Sequence, residues 1–253
     1  MRVIKLTIYE IIFIIVCITI NLFKNGMGLE RLLLPLIIII LFGNLFCKSN
    51  LEIKKNREFI YAFILVFFLY MSIQGYYDYT NVSKNNYSLF KALLIQLPIT
   101  MTVFAAYIFG IKIKNFNWRI SLTSLLLVLL VWLSIEILPI IRYVRLNSIT
   151  DLIKLIIINI PIKIYYPSLV EEVIFRGLCF SGLLAIGLSE DKSNIIQAIV
   201  FGLIHILNYE QFSINIILLI VPQIYIGYLI GKIYINTKSL TPCIILHALL
   251  DSI

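Results

Sequence analysis

The sequence has few charged residues for its length, and no polar linker divides it. Only 13% of its 253 residues are charged, 61% are hydrophobic, and the mean hydropathy is +1.00. Soluble domains carry about 25% charged residues, so this composition excludes a soluble globular protein. Because no stretch rich in Pro, Gly or Ser separates two parts, we predict one structural domain in a membrane.

Cysteine and the common catalytic motifs are also scarce. The four cysteines are scattered through apolar runs without a CxxC pair, which argues against a disulfide framework or a cysteine metal site. The sequence has neither an HExxH motif nor a GxSxG motif. A serine or cysteine nucleophile is therefore poorly supported.

The formal net charge of +8 comes from 21 basic residues, most of which lie in the connections between apolar runs. Basic residues in such loops interact with the membrane surface. The charge therefore indicates membrane lipid as a partner and gives no support for nucleic acid.

Apolar runs long enough to cross a membrane recur along the chain. A hydrocarbon core of about 30 Å requires a helix of about 20 residues. We predict an all-α polytopic integral membrane protein with about eight (seven to nine) transmembrane helices. Pro161 and Pro167 are predicted to kink or break the sixth helix. The predicted spans lie near 4–23, 32–47, 59–77, 89–111, 120–141, 152–166 continuing brokenly to about 188, 194–208, 212–235 and 239–253.

Ionisable residues inside the predicted spans concentrate in the C-terminal third. A charge at the bilayer centre costs at least ~2.5 kcal/mol, so such residues face the protein interior or an aqueous cavity. We expect residues 1–150 to be N-terminal transmembrane helices and residues 151–253 to form a helix bundle that carries the functional site. Glu10 and Glu136 are expected to be interfacial or internally hydrogen-bonded. The set is Glu10, Glu136, Glu171, Glu172, Arg176, His205, His247 and Asp251.

The stretch "EEVIFRG" starts at Glu171. On a helix, Glu172 and Arg176 are four residues apart and share a face, which favours an ion pair. Glu171 lies about 100° around the helix and is badly placed to share Arg176. We therefore expect Glu172 to have a structural partner and Glu171 to be available as a general base.

The chain contains only two histidines. His205 ends the stretch "FGLIH", four residues after Phe201, and His247 begins "HALLD", four residues before Asp251. Each spacing places its pair on one helical face. A lone histidine in an apolar helix is usually a packing residue, but two histidines in a chain with unpaired acids favour a hydrolytic site.

Two hydrolytic chemistries remain open. In one, a glutamate and a histidine activate water, while a second histidine and an acid act on the oxyanion side. In the other, Glu171, His205 and His247 bind a zinc ion that keeps one position open for water. A site with two aspartates is excluded, because Asp251 is the only aspartate within a predicted span.

The three ordered patterns EExxxR, FxxxH and HxxxD, seen here as "EEVIFR", "FGLIH" and "HALLD", resemble the motifs of the CAAX-protease and bacteriocin-processing (CPBP, or Abi) intramembrane proteases. The resemblance covers roughly Pro161 to Ile253. The N-terminal 150 residues match only as generic membrane helices.

The resemblance implies a role for each matching position. Glu171 and His205 would activate the attacking water, and His247 with Asp251 would form the oxyanion side. Glu172, Arg176 and Phe201 would support the site. An ionised Asp251 cannot donate a hydrogen bond to an oxyanion, so we expect it to orient and charge His247. No metal is favoured, with zinc as the alternative cofactor.

The resulting hypothesis is an intramembrane endopeptidase, related to type II CAAX prenyl endopeptidases, that cleaves a hydrophobic or membrane-anchored peptide or protein. Heavy use of Ile, Lys and Asn suggests an AT-rich bacterial genome, so we expect a bacterial plasma-membrane protein acting in peptide or bacteriocin processing or in self-immunity. The alternative is a non-catalytic membrane immunity or transport protein that keeps these motifs as structural polar clusters. The sequence predicts no oligomeric state.

Overall fold

The computed structural model describes residues 6–25, 28–46, 52–80, 89–208 and 218–253. Within these ranges the protein is helical and contains no β-strand, which confirms the predicted all-α class. The α-helices are α1 (Ile8–Asn25), α2 (Leu29–Phe46), α3 (Arg57–Thr80), α4 (Leu89–Ile108), α5 (Leu122–Leu146), α6 (Ile149–Lys163), α7 (Leu169–Glu172), α8 (Ser181–Ala185), α9 (Glu190–Ile204), α10 (Val221–Thr237) and α11 (Leu240–Leu250).

Two helical stretches in the described residues are long and apolar enough to cross a membrane. They are α5 and the stretch Ile149–Ala185, which comprises α6 to α8. Shorter apolar helices occur at Ile8–Leu22, Leu97–Ile108 and Leu240–Leu250. The predicted total of about eight spans therefore stays a prediction.

The surface and the interior have the distribution of polarity that a membrane protein requires. Large apolar side chains are exposed along the outer faces of α1, α5 and α6, among them Ile15, Leu126 and Ile157. Conversely, Glu172 and Arg176 are fully buried. Soluble monomers rarely expose contiguous apolar surface on this scale, so these helices indicate a membrane protein.

The stretch Ile149–Ala185 is interrupted before Pro167. Tyr166 has extended backbone angles, φ −152° and ψ 131°, because the ring of a following proline disfavours the helical conformation. Helix α6 instead continues through Pro161 to Lys163. The expected break is confirmed at Pro167, whereas Pro161 does not end the helix.

A wider helical turn follows α7. The segment Val173–Phe180 is π-helical, with backbone hydrogen bonds from residue i to i+5, a form that occurs frequently at functional sites. Arg176 lies in this segment, and Glu171 lies in the short α7 between it and the kink at Tyr166. The sequence pattern predicted a broken helix here but not the π-helical segment.

Helices α9 and α10 pack closely because α10 carries two glycines, Gly227 and Gly231, four residues apart. A Cβ atom on Gly231 would lie 1.7 Å from Asn194 Oδ1, and one on Gly227 would lie 2.9 Å from the Phe201 ring. Small residues with this spacing allow helix backbones to approach each other in membranes. The approach lets Gln197 on α9 donate a hydrogen bond of 3.1 Å to the Gly227 carbonyl.

A buried ion pair joins α1 to α10. Lys232 Nζ lies 2.5 Å from Glu10 Oε1, and Tyr228 donates a hydrogen bond of 2.9 Å to the same oxygen. Asp191, at the start of α9, lies 3.4 Å from the lysine. Glu10 is internally hydrogen-bonded, as expected, but the sequence reasoning did not identify Lys232 as an intramembrane charge.

Candidate active site

The second glutamate of the pair, Glu172, is the centre of a buried ionic network. Arg176 Nη1 donates to Glu172 Oε1 at 2.9 Å, and both side chains are 0% exposed. Arg176 Nη2 donates to the Gly227 carbonyl on α10 at 2.8 Å. The predicted Glu172–Arg176 pair is confirmed, and it links the π-helical segment to α10.

His247 is held by the same carboxylate. Its Nδ1 lies 2.8 Å from Glu172 Oε1, so the ring donates from Nδ1 to a carboxylate that also accepts from Arg176. The other ring nitrogen, Nε2, faces the carboxylates of Glu171 and Asp251. Glu171 Oε2 and Asp251 Oδ2 each lie 3.8 Å from Nε2, which is too long for a hydrogen bond.

Glu171 is the less constrained member of the glutamate pair. Its side chain is 24% exposed, and its Oε2 atom is buried without a hydrogen-bond partner in the described part of the chain. A buried unpaired carboxylate oxygen is costly. Such a position is typical of a group whose partner is a water molecule or a substrate.

His205 is placed by the end of α9. The last carbonyls of a helix lack the partners that a further turn would supply, and the Phe201 carbonyl, 2.8 Å from His205 Nδ1, is one of them. In the neutral ring the Nδ1–H therefore donates to this carbonyl, and Nε2 carries the lone pair. That nitrogen is the one available as a base.

Phe201 packs against the rings of both histidines. Its centroid lies 4.9 Å from that of His205 and 5.8 Å from that of His247. The Arg176 guanidinium lies 4.9 Å from the same centroid. The expected contact of Phe201 with the site is present, and it fixes the positions of two helices relative to each other.

Asp251 follows the last residue of α11. Its amide donates to the His247 carbonyl at 3.1 Å, and its side chain is 32% exposed. The backbone around it is held from two directions, since Asn159 donates to the Ser252 carbonyl at 3.1 Å and Trp132 donates to the Leu249 carbonyl at 3.2 Å. Asp251 Oδ2 lies 3.8 Å from His247 Nε2, so the expectation that Asp251 orients and charges His247 stays a prediction, while Glu172 holds the ring at Nδ1.

A cavity of about 110 Å³ opens beside Glu171 and His205. These are its two ionisable residues, and its remaining walls are apolar or aromatic. His247 and Asp251 lie behind Glu171 and do not line it. The other lining residues are Val66, Phe67, Pro98, Tyr166, Val170, Ile174, Phe175 and Ile204.

The positions of the Glu171, His205 and His247 side chains bear on the zinc alternative. A zinc ion requires ligand atoms at about 2.0–2.3 Å around one point, yet no group of three or more His, Cys, Asp or Glu side chains in the described residues is arranged in this way. As they are placed, the described side chains do not form a zinc site with three ligands. The zinc alternative stays a prediction.

Comparison with known families supplies independent information on this region. Residues 153–253 match a family model described as Type II CAAX prenyl endopeptidase Rce1-like. This part of the chain is similar to that family, and it is less than half of the 253-residue chain. The match contains all three motifs and confirms the suspected family, while no curated protein and no solved structure matches the chain.

The Rce1-like family is a protease family, which supports an intramembrane endopeptidase. The matched region begins within α6 and contains Glu171, His205, His247 and Asp251. It does not include α3 or α4, which contribute Val66, Phe67 and Pro98 to the cavity. The sequence reasoning had no signal for these three residues, because apolar side chains in an apolar helix do not differ from their neighbours.

Proposed function

We propose that this protein is an intramembrane endopeptidase that hydrolyses a peptide bond of a hydrophobic or membrane-associated peptide without a metal cofactor. The observation that carries the proposal is the placement of Glu171 and His205 on the wall of one cavity, with Glu171 Oε2 unpaired in the described part of the chain. A general base must be able to reach a water molecule beside the substrate. Both residues meet this requirement.

In the first step, Glu171 accepts a proton from a water molecule that His205 Nε2 orients by accepting its other hydrogen. The water oxygen bonds to the carbonyl carbon of the scissile peptide bond, and the π electrons move to the carbonyl oxygen. In the second step the C–N bond breaks, the carbonyl re-forms, and the proton on Glu171 moves to the leaving nitrogen. Water is consumed, and a carboxylic acid and an amine are formed.

We assign the oxyanion side to His247 with Asp251. Neither residue lines the cavity, but His247 Nε2 lies 3.8 Å from Glu171 Oε2 on the cavity wall. Since His247 Nδ1 donates to Glu172, the ring can donate from Nε2 only as an imidazolium. Three carboxylates surround it, with Glu172 at Nδ1 and Glu171 and Asp251 at 3.8 Å from Nε2. They balance the positive charge, and a donor aimed at the developing oxyanion contributes about 10²–10³-fold to the rate.

The biological role that we propose is bacterial, in the plasma membrane. The composition favours an AT-rich bacterial genome, and a peptide substrate suits processing of a bacteriocin or another secreted peptide, or self-immunity against one. Prenylated substrates are expected to be absent from such a cell.

The deciding experiment compares wild type with Glu171→Gln in proteoliposomes, using a library of hydrophobic peptides and mass spectrometry of the released fragments. Glu136→Gln is the matched control, because Glu136 lies on α5 beside Arg31 and outside the cavity. Cleavage by wild type and Glu136→Gln, but not by Glu171→Gln, supports the proposal. Activity that survives in Glu171→Gln refutes the role of this glutamate.

Two further outcomes bear on the alternatives. If a chelator abolishes cleavage and zinc restores it, the metal-free mechanism is wrong. If folded wild type cleaves no peptide in the library, a non-catalytic immunity or transport role is favoured over the protease.

A further inference from the structure

A basic patch lies at the end of the helix bundle where α3 and α5 begin. Its residues come from the segment 52–58 and from the loop 109–121, which we call the basic loop. Two acidic side chains, Glu52 and Glu58, accompany six cationic ones, so the patch carries a formal charge of +4. The six cations are all exposed: Lys54, Lys55, Arg57, Lys112, Lys114 and Arg119.

The fold brings the two halves of this patch together. Lys54 Nζ donates to the Lys114 carbonyl at 2.8 Å, and the Asn117 side-chain amide donates to the Glu52 carbonyl at 3.1 Å. The same amide donates to the Lys238 carbonyl at 2.9 Å, in the turn between α10 and α11. Segments that are 60 or more positions apart in the chain therefore form one charged surface.

The cations of the patch lack acidic partners of their own. Within the described ranges none of the six forms an ion pair, whereas the neighbouring Lys238 is paired with Glu190 at 2.6 Å. Unpaired charges of one sign that are gathered on a surface attract ions of the opposite sign. The patch is therefore suited to an anionic partner.

Apolar side chains are exposed among these cations. Ile113 is 78% exposed between Lys112 and Lys114, and Leu122, the first residue of α5, is 73% exposed. Basic residues beside exposed apolar ones are typical of a segment that lies at the boundary between lipid headgroups and acyl chains. A lipid covers both kinds of side chain, whereas a soluble acidic partner would leave the apolar ones in water.

The basic loop rests on the π-helical segment that follows the two glutamates. A Cβ atom on Gly177 would lie 2.9 Å from Phe116 Cε1, so the phenyl ring lies directly on the helix backbone. Gly177 follows Arg176, which donates to Glu172 at 2.9 Å. Phe116 also packs against Phe59 on α3, with ring centroids 5.4 Å apart. A ligand that fixes the basic loop therefore also restrains the π-helical segment.

We propose that the basic patch binds the headgroup of an anionic phospholipid, and that the bound lipid holds the basic loop against the π-helical segment. The cations match the charge of the phosphodiester, and the exposed isoleucine and leucine match the glycerol and acyl region. This lipid is a partner distinct from the peptide substrate. Its binding does not depend on the proposed endopeptidase function and is measured without it.

Binding is measured in vesicles through the fluorescence of Trp118, which lies in the basic loop and donates from Nε1 to the Ile113 carbonyl at 2.8 Å. The quenchers are brominated phosphatidylglycerol, which is anionic, and brominated phosphatidylcholine, which has no net charge, at equal density. The readout is the ratio of quenching by the two lipids. The chain has two tryptophans, so Trp118→Phe identifies the part of the signal that comes from the loop.

The test variant neutralises three cations of the patch and leaves Lys54 and the backbone contacts of the loop in place. It is Lys55→Gln/Lys112→Gln/Lys114→Gln.

The matched control removes the same charge from exposed positions at the other end of α5 and the start of α6. Since α5 has 25 residues, these positions lie about 37 Å from the patch. The control is Arg142→Gln/Arg145→Gln/Lys154→Gln.

Wild type and the control should both be quenched more strongly by phosphatidylglycerol than by phosphatidylcholine. Each basic residue near an anionic surface contributes about five-fold to affinity, so the test variant should lose about 100-fold in its selectivity for phosphatidylglycerol. Equal quenching of wild type by the two lipids overturns the proposal. An equal loss in the test variant and the control also overturns it, because the effect would then come from net charge alone.

Thermal unfolding in detergent tests the contact between the loop and the π-helical segment. Phosphatidylglycerol at about 100 times its Kd should raise the thermal midpoint of wild type by about 5–10 °C. Phe116→Ala should keep the quenching ratio but show less than half of this rise, measured against its own midpoint without lipid. A full rise in Phe116→Ala refutes the role of the loop contact. An equal rise with inorganic phosphate refutes the lipid as the ligand.

Discussion

The Nδ1 atom of His247 lies 2.8 Å from Glu172 Oε1, so the second glutamate of the pair holds the second histidine of the chain. Glu172 also accepts from Arg176 at 2.9 Å. One buried carboxylate oxygen therefore links the π-helical segment to α11. The two adjacent glutamates have different surroundings, since one is in this network and the other lines the cavity.

Glu172→Asp should lower activity and largely preserve the fold. The shorter side chain keeps a negative charge beside Arg176 but withdraws the oxygen from His247. A misplacement of about 1 Å in such a site can cost about 10²-fold in activity. Peptide cleavage and the thermal midpoint in detergent are measured together, with Glu190→Asp as the control because Glu190 is 46% exposed. Full activity in Glu172→Asp would contradict the role of Glu172 in positioning His247.

His205→Gln should reduce kcat by about 10²-fold, the effect of misplacing a reacting group, because His205 Nε2 orients the attacking water. Glutamine can still donate to the Phe201 carbonyl but has no basic nitrogen to replace Nε2. KM should change little, since the apolar walls of the cavity remain. Steady-state kinetics on one cleaved peptide test this, with Leu203→Ala on the exposed side of α9 as the control. A rise in KM at unchanged kcat would assign His205 to binding rather than catalysis.

Arg176→Met should destabilise the protein strongly, because it leaves Glu172 as a buried charge without its cation. Removing one member of a buried pair costs about 3–5 kcal/mol. Equilibrium unfolding in mixed micelles measures the free energy of unfolding. Arg119→Met is the comparison, because Arg119 is exposed and surface changes usually stay within about 0.5 kcal/mol. Equal effects of the two substitutions would show that the buried pair does not stabilise the fold.

Lys232→Met should also destabilise, since it leaves Glu10 unpaired between α1 and α10. The double variant Glu10→Gln/Lys232→Met should be more stable than Lys232→Met alone, because it removes the buried charge as well. A thermal-shift series in detergent checks the order. Lys238→Met removes the more exposed pair with Glu190 and should cost at most about 1 kcal/mol. If the double variant is the least stable of the series, the predicted coupling is wrong.

The motif residues were predictable from the sequence to different extents. Glu172 and Arg176 were correctly paired because they lie on one face within one turn, a relation that local geometry supplies. The assignment of Glu172 to His247 was not predictable, since those residues are 75 positions apart. Asp251 was expected to orient His247 because an ionised aspartate cannot donate to an oxyanion, and the packing of α7 against α11 places a second carboxylate, Glu172, at Nδ1.

Lys232 is a buried charge that the sequence analysis did not consider. It lies in the predicted span 212–235 but was absent from the intramembrane charges considered, and its partner Glu10 lies on the first helix of the chain. The pattern Gly227-x-x-x-Gly231 was visible in the sequence and predicts close helix packing, but only the fold identifies α9 as the partner.

By itself, the sequence determined the helical class, the apolar outer surface, the break before Pro167 and the pairing of Glu172 with Arg176. Each depends on composition or on neighbours within a turn or two of helix. The tertiary structure alone decided which carboxylate holds His247, that Glu171 and His205 share a cavity, and that α3 and α4 close it. These relations join helices far apart in the chain, where side-chain packing rather than local backbone preference selects the contacts.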